Sequence, residues 1–315
     1  MTSRAAHELE FARNYGFWSE DEQLALTRSR VAIAGVGGVG FQLGLKLARM
    51  GVGSFSIADP EVFEPENVNR VDGAVHSTFM RSKAEVFRER LHDINPEAKI
   101  DLFTDGVSAE NVQEFMHGAS VVLDETEMTM PDIGTLVARE ARRIGIPDVL
   151  AMNIGFAAQV TSFDPQSAWT FERYRGFSDQ APLDEIAELG VDFARCLPYI
   201  PAYTDLRSLA TVQGDEAHAP ASLPSISVGV DVASALASAQ VFLHLTSSLG
   251  NRRRKPIWAP RVAYTDTYDL RTRVVRAGKW SHLRHLLRAA LRQKAGLNPL
   301  ASYTHGDIAR RAAAR

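Results

Sequence analysis

An apolar stretch that runs directly into a cluster of glycines is the feature that most constrains the fold of this chain. Residues 31–40 read VAIAGVGGVG, which predicts a buried strand followed by a tight turn and a helix. The glycines of this turn are Gly35, Gly37, Gly38 and Gly40. Glycine permits the backbone angles of such a turn and lets an anion approach the N–H groups at the helix N-terminus. The next predicted strand ends at Asp59, where an acidic side chain can accept hydrogen bonds from ribose hydroxyls. The pattern predicts a βαβ unit that binds a nucleotide, with NAD, FAD and ATP all open.

Predicted strands and helices alternate from residue 31 to 152, which requires a parallel sheet with right-handed crossovers. The pattern then changes: residues 156–163 alternate like a half-exposed strand, and residues 262–275 predict a β-hairpin. We therefore expect an α/β fold, Rossmann-like and doubly wound, with a mostly parallel sheet and antiparallel strands in its second half. Residues 1–155 are expected to form the nucleotide-binding domain with an N-terminal helical region. Residues 156–315 are expected to form a substrate-binding and C-terminal region that shares one continuous sheet with it.

Periodicity and turn residues also assign the remaining elements. Helices are predicted over residues 39–50, 80–92, 108–117, 130–144, 167–177, 225–249 and 280–294. Residues 213–224 mix Gly, Pro, Ala and charge and predict a loop. The tail from residue 306 predicts an exposed helix whose arginines are solvated.

A set of cationic and amide side chains follows Asp59 in the segment 59–83, namely Asn67, Arg70 and Lys83. The pyrophosphate of a dinucleotide is bound largely by backbone N–H groups. A triphosphate that is attacked at its α-phosphorus needs cations that neutralise the charge growing in the transition state. Arginine binds phosphate oxygens with a planar fork, and lysine acts as a point charge. The set favours ATP, and an NAD(P)- or FAD-dependent oxidoreductase is the alternative from another class.

The composition restricts the partners and the compartment. Apolar residues make up 45% of the chain and charged residues 23%, which is enough for a sizeable core under a polar surface. The net charge of −3 predicts no bulk binding of nucleic acid. The N-terminus lacks the apolar core of a signal peptide, and the apolar stretch 223–249 predicts a packed helix rather than a membrane span. We expect a cytoplasmic enzyme with no membrane association.

The motifs together resemble the ThiF/MoeB/E1-like family of adenylating enzymes. They are GVGGVG at 35–40, Asp59, ENVNRV at 66–71, Lys83 and DETEM at 124–128. The resemblance covers roughly residues 10–165. Members of this family activate a carboxylate as an acyl-AMP, so the resemblance implies ATP and Mg²⁺ as cofactors and a carboxylate-bearing substrate. That substrate would be a peptide, a ubiquitin-like or sulfur-carrier protein, or the precursor of a peptide natural product. A homodimer is implied as well.

The resemblance also implies roles for individual residues. The glycine turn and Asp59 would hold the nucleotide, with Asp59 on the ribose. Asn67, Arg70 and Lys83 would bind the triphosphate, and the two cations would stabilise the charge that develops during the reaction. Arg13, in the sequence FARNYGF, matches a family arginine that reaches the γ-phosphate across a dimer.

The acidic motif departs from the family pattern. The family has DxxD followed by Asn, whereas this chain has Asp124, then Glu127 and Met128, and Val71 replaces a usual Gln. The resemblance implies Asp124 and Glu127 as Mg²⁺ ligands, with Asp124 also contributing to catalysis. Glutamate still offers carboxylate oxygens to Mg²⁺, but its extra methylene shifts the metal or requires a bridging water. These departures keep open a protein that binds a partner but no longer adenylates.

The cysteine content separates this chain from many relatives. Cys196 is the one cysteine in the sequence, so neither a disulfide framework nor a Cys₄ zinc site exists, and no zinc is expected. This favours the zinc-free branches of the family, which include tRNA-threonylcarbamoyl dehydratases and enzymes that modify ribosomally made peptides. Cys196 follows Arg195 and is a candidate nucleophile for the acyl-adenylate, or a buried small hydrophobic residue.

Overall fold

The computed structural model describes residues 9–126, 128, 130–189, 191–206, 225–249 and 255–298. Its strands are β1 Arg30–Ala34, β2 Ser54–Ala58, β3 Lys99–Phe103, β4 Val121–Asp124, β5 Asp148–Ile154, β6 Ala157–Phe163, β7 Arg261–Asp266 and β8 Arg271–Arg276. They form one eight-stranded sheet in the order β3-β2-β1-β4-β5-β6-β7-β8. The strands from β1 to β5 pair in parallel, and β6, β7 and β8 are added in antiparallel pairs. The predicted α/β fold, mostly parallel with antiparallel strands in the second half, is confirmed.

The helices cover both faces of the sheet. They are α1 Glu20–Arg28, α2 Gly38–Arg49, α3 Lys83–Ile94, α4 Val112–Phe115, α5 Pro131–Ile144, α6 Phe171–Arg175, α7 Leu183–Glu188, α8 Phe193–Cys196, α9 Ser227–Leu245 and α10 Lys279–Lys294. Buried side chains of α2, α3 and α9 share one core with the sheet, and those of α4 and α5 share another on the opposite face. The strand order reverses between β1 and β4, and ligands of open α/β sheets bind at such a switch point.

Strand β1 shows why the sequence VAIA folds as a central strand. Val31 and Ile33 point into one core, and Ala32 and Ala34 point into the other. Side chains alternate across a strand, so a strand that is covered on both faces reads as a continuous apolar run. The strand delivers the glycine turn to the carboxyl edge of the sheet.

Helix α9 packs against α2, β5 and β6. Within the described ranges it is the one helix that is long and apolar enough to cross a membrane, and most of it is buried inside the protein. Val230, Ala233, Ala237 and Val241 enter the core shared with α2. Its packing is that of a core helix.

Two predicted helices are shorter in the structure because side-chain hydrogen bonds delay where they start and, in the second, a glycine ends the helix. The helix predicted over 108–117 is reduced to α4, since Asn111 closes a turn: its Oδ1 accepts from the Ser108 N–H at 2.8 Å and its Nδ2 donates to the Gly106 carbonyl at 2.9 Å. The helix predicted over 167–177 is reduced to α6. Thr170 caps its start, and Gly176, with φ of +99°, ends it. The predicted loop 213–224 and the tail from residue 306 lie outside the described residues.

Candidate nucleotide site

A cavity of about 330 Å³ opens at the carboxyl ends of the central strands. Its lining includes the predicted glycines and polar residues, namely Gly35, Gly37, Gly38, Gly40, Asp59, Asn67, Arg70 and Lys83. These residues come from the turn after β1, the end of β2, the segment that follows it, and the first turn of α3. The fold therefore brings together the residues that the sequence analysis assigns to the nucleotide and its phosphates. The exceptions are the acidic motif at 124–128 and Arg13 in the N-terminal turn.

The glycine turn has geometry that other residues would disrupt. Gly35 has φ of +96°, and a Cβ on it would lie 2.4 Å from the Glu125 carbonyl oxygen. A Cβ on Gly40 would lie 2.0 Å from the carbonyl oxygen of Gly35. No atom lies within 4 Å of a Cβ built on Gly37, the N-cap of α2, which lines the cavity. Free N–H groups at the start of α2 therefore border open space, as anion binding requires.

Asp59 is buried and fixed in orientation. Its Oδ2 accepts a hydrogen bond from the Val36 N–H at 2.8 Å, and its Oδ1 accepts from the Glu61 N–H at 2.9 Å. Burial raises the pKa of this carboxyl, against the lowering effects of the Glu61 N–H, Lys83 and the Val36 N–H. Each oxygen retains a lone pair, so the carboxylate can accept further hydrogen bonds from hydroxyl groups in the cavity.

Lys83 is the buried cation of the cavity. Its ammonium group pairs with the Glu61 carboxylate, which also lines the cavity. Ser82 caps α3 by accepting from the Glu85 N–H at 3.4 Å, so the helix begins at Lys83 rather than at residue 80. The cap directs the first turn of the helix toward the cavity.

Asn67 lies within a short 3₁₀ turn at Pro65–Asn69, and Arg70 follows directly after it. The Asn67 Oδ1 accepts from the Glu64 N–H at 3.1 Å, which stabilises this turn. The Arg70 Nη1 donates to the Glu66 carbonyl and to the Asn69 Oδ1, both at 3.0 Å. Both of these acceptors are neutral oxygens.

The acidic motif differs from the prediction. Asp124 is buried and does not line the cavity; its Oδ1 accepts from the Thr126 hydroxyl at 2.6 Å and from the Thr126 N–H at 3.2 Å. The assignment of Asp124 as a catalytic residue and metal ligand stays a prediction, and in this structure the side chain does not border the cavity. Its side chain lies beside Gly134 and Phe171, behind the cavity wall. Glu125 lines the cavity instead, and its Oε1 has no hydrogen-bond partner within the described part of the chain.

Two other predicted residues are not part of the described cavity lining. Glu127 lies outside the described residues. Arg13 is exposed in the 3₁₀ turn Ala12–Asn14, away from the cavity of its own chain. A contribution from Arg13 across a dimer remains a prediction. Among the described residues, no group of three His, Cys, Asp or Glu side chains is arranged to hold a metal ion.

Sequence reasoning missed a polar wall supplied by the second half of the chain. Asn153, at the end of β5, lines the cavity and donates from its Nδ2 to the Ser225 Oγ at 2.8 Å. The Asn69 Nδ2 donates to the Ser225 carbonyl at 2.9 Å. A Cβ on Gly229 would lie 2.1 Å from the Gly155 carbonyl oxygen, so the start of α9 packs tightly on the β5–β6 turn. No local pattern marks these contacts, because the partners are far apart in sequence.

A cluster of buried ionisable side chains lies behind the cavity wall. Asp124 and Asp148 are buried, and neither oxygen of Asp148 has a hydrogen-bond partner within the described ranges. The Arg175 guanidinium, also buried, lies 5.0 Å from the centroid of the Phe171 ring. Burial and the neighbouring Asp124 raise the pKa of Asp148 well above its ordinary value, and Arg175 only partly opposes this.

Asp148→Asn is expected to stabilise the protein relative to the wild type progressively as pH rises from about 4 to 7. The raised pKa means that the folded protein binds this proton more tightly than the unfolded chain does. The associated stability is present below the unfolded pKa and is lost as pH rises from there through the folded pKa. Urea unfolding of both proteins at several pH values measures the difference. Asp93→Asn, at an exposed position of α3, is the control and should show no such trend; a parallel trend in the two variants would contradict the assignment.

Cys196 lies in the core rather than at the cavity. It is fully buried, and its backbone carbonyl accepts from the Tyr174 hydroxyl at 2.7 Å and from the Gln159 Nε2 at 3.0 Å. Burial raises the pKa of its thiol, although Arg175 partly opposes this. The structure supports the small-hydrophobe alternative and gives no access for an attack on an acyl-adenylate.

The thiol is accordingly expected to be unreactive toward DTNB in the native protein at pH 8 and to react fully in 8 M urea. A raised pKa and burial both reduce the population of accessible thiolate. Absorbance at 412 nm over an hour measures the reaction. Complete labelling of the native protein within seconds would contradict the burial.

The fold and the site define a class of protein. It comprises α/β proteins with a glycine turn at the N-terminus of a helix, an acidic residue after the second strand, and an arginine and a lysine that line the same cavity. A profile of the ThiF family matches residues 11–282, so the chain belongs to the ThiF family. The family resemblance inferred from the sequence motifs is confirmed. The motifs covered roughly residues 10–165, and the family match extends to residue 282.

Relatives agree with this assignment over part of their length. The chain is 33% identical over 145 residues to tRNA threonylcarbamoyladenosine dehydratase of Escherichia coli, covering 46% of this chain and 52% of that protein. It is 29% identical over 147 residues to the sulfur carrier protein ThiS adenylyltransferase of E. coli, covering 46% and 57%. It therefore covers less than two thirds of the length of these relatives.

Two crystal structures share the fold across most of the chain. E. coli MccB with ATP has a TM-score of 0.56 and 16% identity, covering 82% of this chain and 66% of MccB. PaaA has a TM-score of 0.60 and 15% identity, covering 88% and 75%.

Proposed function

We propose that this protein uses ATP to adenylate a carboxylate. A substrate carboxylate oxygen attacks the α-phosphorus of ATP, the acyl-AMP forms, and pyrophosphate leaves. Asp59 would accept hydrogen bonds from the ribose, and the N–H groups of the glycine turn would receive phosphate oxygens. Arg70 and Lys83 would neutralise the charge that develops on the phosphates, so that catalysis is positioning and electrostatics, with no catalytic base.

The observation that carries the proposal is the burial of the Lys83 ammonium in the same cavity as the glycine turn and Asp59. A buried cation is costly to hold unless it is paired, and the one ion-pair partner of this lysine in the described part of the chain, Glu61, is itself largely exposed at the cavity. In a site of low dielectric its interaction with a phosphate is stronger than on the surface. A dinucleotide-dependent oxidoreductase has no need for this charge.

The cavity also offers donors for a magnesium ion. Glu125 lines the cavity and its Oε1 has no hydrogen-bond partner in the described part of the chain, and the exposed Asp105 lies on the cavity rim. Mg²⁺ prefers such carboxylate oxygens together with phosphates and water. A bound Mg²⁺ would neutralise phosphate charge. We therefore add Glu125 as a candidate ligand to Asp124 and Glu127, which the family resemblance implies.

The substrate class is proposed from the relatives. One of them is named as adenylating the sulfur carrier protein ThiS, and MccB was crystallised with MccA. A peptide or small protein that presents a carboxylate is therefore the substrate we favour, handled by a cytoplasmic homodimer to which Arg13 contributes across the interface. The 33% identity to tRNA threonylcarbamoyladenosine dehydratase supports a second candidate, a dehydratase-like reaction on a tRNA-borne carboxylate.

ATP–pyrophosphate exchange on the purified full chain tests the proposal. Exchange of labelled pyrophosphate into ATP should depend on Mg²⁺ and on a carboxylate substrate, tried as peptide C-termini, a sulfur-carrier protein and threonylcarbamoyladenosine-modified tRNA. A peptide amide in place of the free acid is the matched control and should give no exchange. Tight binding of NAD or FAD without ATP binding would contradict the proposal. ATP binding without exchange on any of these substrates would favour a partner that no longer adenylates.

A further inference from the structure

Helix α10 exposes a row of large apolar side chains. Trp280, Leu283, Leu287 and Leu291 are 86%, 50%, 59% and 62% exposed. They are separated by three, four and four positions, so they form one stripe along the helix. We call these four residues the apolar stripe. Contiguous exposed apolar surface of this kind marks an interaction site.

The other side of α10 is already occupied. The imidazole Nδ1 atoms of His282 and His285 lie 2.8 and 2.9 Å from the carbonyl oxygens of Leu197 and Pro198. Ala289, on the same side of the helix, is buried. These contacts fix the rotation of the helix, so the stripe faces outward because the protein holds it there.

The charge next to the stripe has one sign. Arg284, Arg288 and Arg292 repeat at every fourth position and form a ridge along one side of the stripe. No acidic residue occurs in Lys279–Lys294. The Arg288 Nη2 lies 3.9 Å from Asp269, which is too long for a strong pair. Within the described ranges this is the one ion pair of the ridge, so little of the ridge's charge is neutralised there.

These features identify the chemistry of the occupant. A narrow apolar stripe with charge along one side is typical of a seam between two helices, whereas a helix in a membrane interface has a broad apolar face. If two α10 helices paired in antiparallel orientation, their arginine ridges would lie side by side and repel one another. The chain beyond Asn298 carries Arg310, Arg311 and Arg315 against one acid, Asp307, so it has the same sign as the ridge.

We propose that α10 is a docking surface for an amphipathic helix of another polypeptide, one with leucine-type side chains on its seam and a ridge of Asp or Glu beside it. Apolar contact with the stripe would supply affinity, and the opposite charges would set orientation and association rate. This inference does not rest on the adenylation reaction.

Binding of two designed helical peptides to the full chain tests the proposal. Both have the same leucine seam; one carries a glutamate ridge and the other a lysine ridge. We expect the glutamate peptide to bind at least tenfold more tightly, measured by fluorescence anisotropy. Leu287→Glu should weaken that binding at least tenfold. Arg284→Glu/Arg288→Glu should reverse the preference in favour of the lysine peptide, which a merely structural role would not do.

Matched substitutions elsewhere control for general stickiness and charge. Leu24→Glu on α1 and Arg90→Glu on α3 alter exposed positions and should leave peptide binding unchanged. Circular dichroism establishes that each variant is folded. Equal binding of the two peptides, or no effect of Leu287→Glu, would overturn the proposal. So would sedimentation that shows self-association lost in Leu287→Glu, or binding to phosphatidylserine vesicles without binding to either peptide.

Discussion

Lys83→Ala is expected to lower kcat for ATP–pyrophosphate exchange by a factor of about 10² to 10³, with a smaller change in the KM for ATP. The wild-type ammonium group is buried in the cavity, where its attraction to phosphate is only weakly screened by water. Its removal deletes the cation and leaves the Glu61 carboxylate without its partner beside the incoming phosphates. Steady-state exchange assays with titrated ATP measure both parameters.

Two further variants separate the role of the lysine from its effect on Glu61. Lys99→Ala changes an exposed lysine at the start of β3, far along the strand from the carboxyl edge, and should leave exchange unchanged. Lys83→Ala/Glu61→Ala removes both members of the pair and should remain impaired. Recovery of wild-type exchange in this double variant would show that Lys83 serves only to neutralise Glu61, contrary to our assignment.

Gly40→Ala is expected to destabilise the protein by about 3 kcal/mol or more, because the new methyl group would lie 2.0 Å from the Gly35 carbonyl oxygen. Backbone would have to move to relieve the clash, and this backbone forms the turn that we propose binds the phosphates. ATP binding should therefore be lost as well. Urea unfolding and calorimetric titration with ATP measure the two effects.

Gly37→Ala is the matched comparison within the same turn. No atom lies within 4 Å of the position that its new methyl group would take, so the fold should keep nearly its full stability. Gly37 lines the cavity at the start of α2, and the methyl group should weaken ATP binding by occupying space near the N–H groups. A Gly40→Ala protein as stable as Gly37→Ala would contradict the packing described for the turn.

Much of the fold could be predicted because its signals are local. The run from β1 through the glycine turn to α2 is encoded by consecutive residues, and the parallel sheet follows from the alternation of elements. The gathering of Asp59, Asn67, Arg70 and Lys83 at one cavity follows as well, because the carboxyl ends of parallel strands meet at the same edge.

Sequence reasoning is insufficient where a side chain's direction or burial depends on distant parts of the chain. Asp124 and Glu125 are neighbours, yet one is buried behind the wall and the other lines the cavity, since side chains alternate at the end of a strand. Cys196 follows an arginine in sequence, but tertiary packing places it in the core. Asn153 and Ser225 meet only because α9 returns to the β5–β6 turn.

The pair between Lys83 and Glu61 has a consequence for which ligands the protein retains. Because the Glu61 carboxylate already pairs with Lys83, an incoming anion must displace Glu61 in order to bind the lysine. A single inorganic phosphate or a nucleoside monophosphate would offer little advantage over Glu61, whereas a polyphosphate could contact several donors at once and displace it. If the proposed roles hold, the protein would thereby bind a nucleoside triphosphate in preference to a monophosphate.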